Sequence, residues 1–232
     1  MRLFATLLLI ALPGLVAAEQ ASYAVSVTGI PAGSLAYRAS QSGSSYKVQG
    51  QVRSSGLARG LYPAQISAAA QGQVTGNEYS PSAYSEEATY RNDTETAKYR
   101  YAGGIPTITK DPPDTNRKDF HADPKDQRGT VDPLTIAYAI LRDRPSELAC
   151  NLDLQPYDGR ERTRIRMSGG TRKGDTLTCP GTYTRIAGFS EKDMRKADWT
   201  FTVTYSIESD GTHRVEKVHV PTSVGPVVLR RR

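Results

Sequence analysis

Side chains alternate along most of this chain, apolar then polar, with a period of two. The cleanest run sets Trp199, Phe201, Val203, Tyr205 and Ile207 against Thr200, Thr202, Thr204 and Ser206, and Asp210-Gly211 ends it. That period puts one set of side chains on each face of a strand and cannot lay an apolar stripe along a helix. The same alternation begins with Tyr23, Val25 and Val27; Ile30-Pro31-Ala32-Gly33 reads as a turn, and Leu35, Tyr37 and Ala39 as the returning strand. Tyr46, Val48 and Val52 continue the series, followed by strands over 65–74 and within 84–101. Beyond residue 148 the pattern resumes with Leu148, Cys150, Leu152 and Leu154. Tyr157-Asp158-Gly159-Arg160 is a hairpin turn, and later strands carry Leu177, Tyr183 and Ile186, then Val218 and Val220, then Val227 to Leu229.

Three stretches break the alternation. Residues 54–63 fit neither period and read as a bent connection or a short helical turn. Residues 103–129 hold Pro106, Pro112, Pro113 and Pro124 with few large apolar residues, which predicts a surface segment, mobile or acting as a lid, that adds little core. One helix is expected over about 132–144: Asp132 is a good N-cap, Pro133 takes the favoured first position, Leu134, Ala137, Tyr138 and Leu141 recur at helical spacing, and Pro145 stops it. Ile136 and Ile140 widen its apolar face, so it should be buried against a sheet. About ten hairpin-linked strands and one buried helix predict a mainly β fold: a curved antiparallel sheet, an open barrel or β-spiral. Side chains, the helix or an apolar ligand would fill it.

The amino terminus supplies an address. Arg2, an apolar run from Leu3 to Leu12, Pro13-Gly14 and Val16-Ala17-Ala18 form a secretory signal peptide over residues 1–18, cleaved near Ala18. The run is short for a membrane span, and no cysteine near the cleavage point offers a lipid attachment. Residues 19–232 are expected to be one exported domain. Removing Arg2 from the 30 basic residues leaves 29 against 24 acidic ones, a net of +5 with histidines neutral. That excess suits an anionic phospholipid or lipopolysaccharide surface and equally suits plain solubility, while export and the lack of a basic-aromatic motif argue against nucleic acid. The two cysteines, Cys150 and Cys179, read as a structural disulfide in an oxidising compartment. Their spacing matches neither a redox Cys-x-x-Cys nor a zinc pattern.

No catalytic motif, cofactor or metal site is expected. His121, His213 and His219 are poorly spaced for a triad or a metal, and Glu86, Glu87, Asp111, Asp114 and Asp119 read as solvated loop or strand faces. The most specific polar feature is a stripe, Arg160, Arg162, Arg164 and Arg166, alternating with Glu161, Thr163, Ile165 and Met167. It reads either as a solvated outer face that blocks edge pairing or as donors for the phosphates of lipid or lipopolysaccharide. Thirteen tyrosines either fill the interior or line an amphipathic pocket. Arg162, Arg164, Arg166 and Tyr62 are the candidate binding residues.

Several segments resemble a bacterial exported family catalogued as domain of unknown function 3108. They are Tyr23-Ala24-Val25 through Gly29-Ile30-Pro31-Ala32-Gly33-Ser34-Leu35, Ser55-Gly56-Leu57-Ala58-Arg59 with Leu61-Tyr62-Pro63, Val131-Asp132-Pro133-Leu134-Thr135 through Leu141-Arg142, and Gly181-Thr182-Tyr183-Thr184-Arg185-Ile186-Ala187-Gly188-Phe189. The resemblance spans nearly the whole chain after the leader. It implies a periplasmic location and a curved β architecture similar to the half-barrels of periplasmic lipoprotein carriers and to β-spiral envelope-integrity proteins, and it brings no catalytic residues. The expected role is a non-catalytic binding or carrier module for an apolar or lipidic envelope component, with peripheral membrane contact and the arginines near an anionic head. A structural factor acting through another envelope protein is the alternative, and an envelope hydrolase the least supported.

Overall fold

A computed structural model describes residues 16–223 and 225–232. Most of the expected leader lies outside the described residues; its last three positions open the first strand, where Val16, Ala17 and Ala18 pair with Ser42, Gln41 and Ser40. Strands β1 (Val16–Val27), β2 (Ile30–Ser42), β3 (Ser45–Ser54), β4 (Ala64–Thr75), β5 (Glu78–Tyr90), β6 (Asp93–Ala102) and β7 (Ile105–Asp111) follow one another as hairpins. A second meander runs through β8 (Leu152–Leu154), β9 (Arg162–Met167), β11 (Thr176–Ala187), β12 (Asp198–Ile207), β13 (His213–Val220) and β14 (Val227–Arg231), with β10 (Thr171–Lys173) beside β11. The two halves join where β1 pairs with β14, from Tyr23 opposite Arg231 to Val27 opposite Val227. The sheet is antiparallel and open, its ends being β7 and β8.

Helix α2 (Pro133–Leu141) shows that this sheet curls. It touches β3, β4 and β5 on one side and β8 on the other. Eight strand spacings separate β3 from β8 in the sheet order; laid flat they would lie about 38 Å apart, beyond the reach of a helix about 10 Å thick. The chain crosses from one edge to the other over the concave face, and α2 is that crossing. Tyrosines from the inner face pack around it: Tyr138 lies 5.6 Å from Tyr37, 6.2 Å from Tyr46 and 6.3 Å from Tyr79 between ring centroids. Tyr23, Val48, Val203, Tyr205 and Val215 are buried in the same core.

Asp132 caps α2 as expected, accepting from the Thr135 backbone N–H at 2.8 Å and from the Thr135 hydroxyl at 2.7 Å. The helix stops at Leu141, earlier than the expected 144, and Pro145 is not what ends it. Arg144 leaves the helix to pair with the β13 strand, its N–H donating to the His213 carbonyl at 3.1 Å and its carbonyl accepting from His213 at 2.8 Å. The carbonyls this strands inside the core find donors. The Tyr23 hydroxyl donates to the Leu141 carbonyl at 3.0 Å, the Tyr37 hydroxyl stands 3.1 Å from the same carbonyl and shares its one proton between it and Glu19, and the Arg144 guanidinium donates to the Ala139 carbonyl.

Two other expectations need correction. The first hairpin turns at Thr28-Gly29, both with positive φ, so Ile30 to Gly33 belong to β2. The segment 103–129 contains β7 and is then laced across the gap between the sheet's edges. Arg160 grips Asp114 there, Arg117 donates to the Gly159 carbonyl at 3.0 Å, and the Tyr157 hydroxyl donates to the Ala122 carbonyl at 2.8 Å. It is a strap between the two ends of the sheet.

Candidate functional site

The helix does not cover the whole concave face. Ile136, Tyr138, Ala139 and Leu141 are buried, whereas Leu134, Ala137 and Ile140, at helical spacing, stay partly open. An apolar space flanks this stripe on each side. Toward β2–β5 a cavity of about 190 Å³ is bounded by Leu35, Val52, Ile66, Ala68, Leu134 and Ala137. Toward β9–β13 a space of about 380 Å³ is bounded by Ile140, Ile165, Trp199, Phe201, Val218 and Val220. They make up an apolar trough in two compartments, one on either side of α2, that share no lining residue.

Strand register puts this trough at one end of the sheet. Val27 pairs with both Ile30 and Val227, and Val220 also pairs with Val227, so the ends of β1 and β13 and the starts of β2 and β14 share a rim. Val52 of β3 faces Leu35 and Ile66 across the ladder near the same rim. Gly50, one pleat deeper, lets the helix approach: a Cβ there would stand 2.6 Å from Leu134 Cδ1. The opposite end of the interior is closed by aromatic rings and buried cations. The Arg142 guanidinium lies 5.5 Å from the Tyr79 ring centroid and donates to the Gly76 carbonyl at 2.8 Å, and Arg144 lies 6.0 Å from Tyr205.

Carboxylates at both ends of α2 are tuned by burial. Asp132 is fully buried, and desolvation pushes its carboxyl up to about 6 despite the Thr135 hydrogen bonds that oppose the rise. Glu19 is also raised, first by desolvation, while it accepts from the Tyr37 hydroxyl and from the Asp143 N–H at 2.8 Å. Asp143 in turn takes two hydrogen bonds from Arg231, at 2.6 and 3.0 Å. Glu19, Asp143 and Arg231 tie α2's exit to β1, β2 and β14, a structural role. At the open end Arg185 sits over Trp199 at 4.4 Å and Lys196 over the same ring at 5.7 Å, with the Asp193 carboxylate 3.7 Å from Arg185. A wider recess of about 740 Å³ is polar, with Gln20, Ser22, Arg38, Gln49, Arg214 and Arg232 on its walls. Among the described residues no group of His, Cys, Asp and Glu is arranged to hold a metal ion.

The candidate binding residues do not meet at the trough. Thr163, Ile165 and Met167 take the inner positions of β9, so Arg164 and Arg166 project to solvent on the other face, with Arg162 half-buried. The stripe is also partly spent on acids of other segments. Arg164 Nε donates to Asp153 at 2.7 Å and holds that carboxyl below its usual range; Arg160 Nε donates to Asp114 at 2.8 Å and lowers it to about 2. Tyr62 stands on the open rim after helix α1 (Gly56–Leu61), its ring 5.9 Å from Tyr90 and 5.6 Å from the Arg91 guanidinium. Cys150 and Cys179 are bonded, with Cα atoms 5.1 Å apart. Sequence reasoning placed the trough-lining residues on strands but had no signal that Val52, Ile66, Phe201 and Val220 converge, because only the register of distant strands brings them together.

The fold and trough can be set beside known proteins. A family described as "Protein of unknown function (DUF3108)" matches residues 22–231, and the chain belongs to that family. No curated protein matches the chain. Of the solved structures, a β-barrel-like protein of domain of unknown function DUF1849 from Brucella abortus superposes with a TM-score of 0.51. The match covers 92% of this chain and 94% of that one at 10% identity, a likeness of fold alone.

Proposed function

We propose that this protein is an exported, non-catalytic binding module that takes the apolar part of a cell-envelope amphiphile into the trough beside α2. One observation carries the reading: Leu134, Ala137 and Ile140 stay partly uncovered inside a sheet whose other end is packed with aromatic side chains. A folded chain gains by burying such a stripe, and an occupant of the trough would complete it. The space toward β9–β13, about 380 Å³, sits at the low end of the roughly 300–1,000 Å³ typical of ligand sites. It suits a stretch of hydrocarbon chain more than a whole lipid. Lys196, which enters no ion pair among the described residues, offers positive charge beside Trp199 at the mouth for an anionic head, while Arg185 there is paired with Asp193. The signal-peptide pattern and the Cys150–Cys179 bond are consistent with a periplasmic site of action.

The test is uptake of a fluorescent long-chain fatty acid, with native mass spectrometry of the gently purified protein for lipid carried along. Wild type should bind the probe, and Ala137→Phe with Val220→Phe, which fill the spaces toward β2–β5 and β9–β13 respectively, should abolish binding while keeping the circular dichroism of the fold. No probe binding together with no co-purifying lipid would refute the carrier reading and leave a structural role through protein contacts.

A further inference from the structure

The open rim continues outward into an exposed apolar surface. Helix α1 buries none of its residues, and Leu57 and Leu61, four apart and so on one face, are 69% and 78% exposed. Tyr62 and Ile30 beside them are also exposed, and Val52 is both exposed on this rim and part of the trough wall. These side chains are neighbours by construction. The Ser55 N–H donates to the Ala32 carbonyl at 2.9 Å, holding α1 to the start of β2, and the Arg91 N–H donates to the Pro63 carbonyl at 2.8 Å, holding the β5–β6 turn to its far end. Among the described residues Arg53, Arg59 and Arg91 on this rim enter no ion pair, with Asp93 the acid at the same turn.

We propose that this rim docks on a bilayer carrying anionic headgroups. Leu57, Leu61 and Tyr62 enter the boundary between headgroups and acyl chains, and Arg53, Arg59 and Arg91 meet the lipid phosphates. Protruding leucines ringed by unpaired arginines are the chemistry an interfacial segment presents to such a surface, and each cation adds attraction to it. Val52 gives a hydrocarbon chain an apolar contact that leads from the membrane into the compartment toward β2–β5. The inference rests on the carrier reading for its purpose, but it is tested independently.

The exported protein is floated with vesicles of phosphatidylethanolamine and phosphatidylglycerol, and in parallel with vesicles of phosphatidylcholine alone. The anionic vesicles should retain it more strongly, less so as salt rises. Leu57→Ser with Leu61→Ser should weaken partition at least about tenfold, and Arg59→Glu with Arg91→Glu should erase the preference for anionic lipid. Uptake of the soluble fatty-acid probe should be unchanged in both pairs, since none of these residues lines the trough. Flotation that is absent, or equal in wild type and the leucine pair, would overturn the proposal. So would light scattering that finds wild type to be a dimer which Leu57→Ser with Leu61→Ser converts to monomer. Leucine-dependent flotation without probe uptake would uphold the docking surface and sink the trough; probe uptake without flotation would do the reverse.

Discussion

Replacing Asp132 by Asn tests the account of the helix that plugs the sheet. The carboxyl is fully buried and raised from its ordinary 3.8 to about 6, chiefly by desolvation. Between roughly pH 4 and pH 6 the folded protein therefore binds a proton that the unfolded chain has released, and stability falls as pH rises through that window. At about 1.4 kcal/mol per tenfold in proton affinity, the loss attributable to this group is about 3 kcal/mol by neutral pH. Asparagine carries no charge to desolvate and still caps: its Oδ1 accepts from the Thr135 N–H, and its amide donates to Thr135 Oγ1. That hydroxyl then donates to Tyr46, 2.8 Å away, reversing the present chain of donors. Urea denaturation of both proteins from about pH 4 to pH 7 provides the measurement. Glu19, also raised, and Asp114 and Asp153, both lowered, titrate in the two proteins alike and cancel in the difference. The stability of Asp132→Asn relative to wild type should climb by about 3 kcal/mol across the window. Parallel pH profiles would show that Asp132 is not a desolvated carboxylate and would undo this reading of the cap.

Removing the disulfide with Cys150→Ser should cost about 3.5 kcal/mol, the chain-entropy value for a loop of about 30 residues, and thiol labelling of the wild type should require reductant; ready labelling of the native protein would exclude the bond. Tyr23→Phe alone leaves the Leu141 carbonyl its bond from Tyr37, so the loss should be about 1 kcal/mol. Tyr23→Phe with Tyr37→Phe strips both donors from a buried carbonyl, and a double-mutant cycle by chemical denaturation should show more than additive loss. Gly181→Ala places a Cβ 2.3 Å from Phe201 Cζ across the β11–β12 ladder and should destabilise by about 1–3 kcal/mol; an unchanged melting temperature would mean that the ring moves aside freely.

The elements legible in the sequence are those whose signal is local. Alternation found the strand from Trp199 to Ile207 and the pair around Tyr23 and Tyr37, and Asp132-Pro133 marked the start of α2 to the residue. β7 was hidden because Pro106 and the prolines after it read as loop, although an edge strand tolerates proline where no ladder donor is needed. The end of α2 was misplaced because Arg144 is drawn off by His213, sixty-nine positions along the chain. Of the arginine stripe, Arg162, Arg164 and Arg166 share one side of β9, while Arg160 lies before the strand and turns to Asp114. Which side depended on Ile165 and Met167 finding the core, and the stripe's partners Asp114 and Asp153 come from segments that local spacing cannot connect. The trough is invisible to any window of sequence, since its walls come from both meanders and its floor from the crossing between them.

The β1–β14 seam sets an order of assembly during synthesis. Every other neighbouring pair along the sheet path joins strands close in sequence, but β1 must wait for β14, with Val27 and its partner Val227 separated by 200 positions. Until then the amino-terminal half carries a bare strand whose amides and carbonyls face outward, the kind of edge that chaperones shield and that invites aggregation. Truncation just before Val227 would freeze the protein in that unfinished condition, so proteolysis at the carboxyl end would deprive both meanders of their common partner at once.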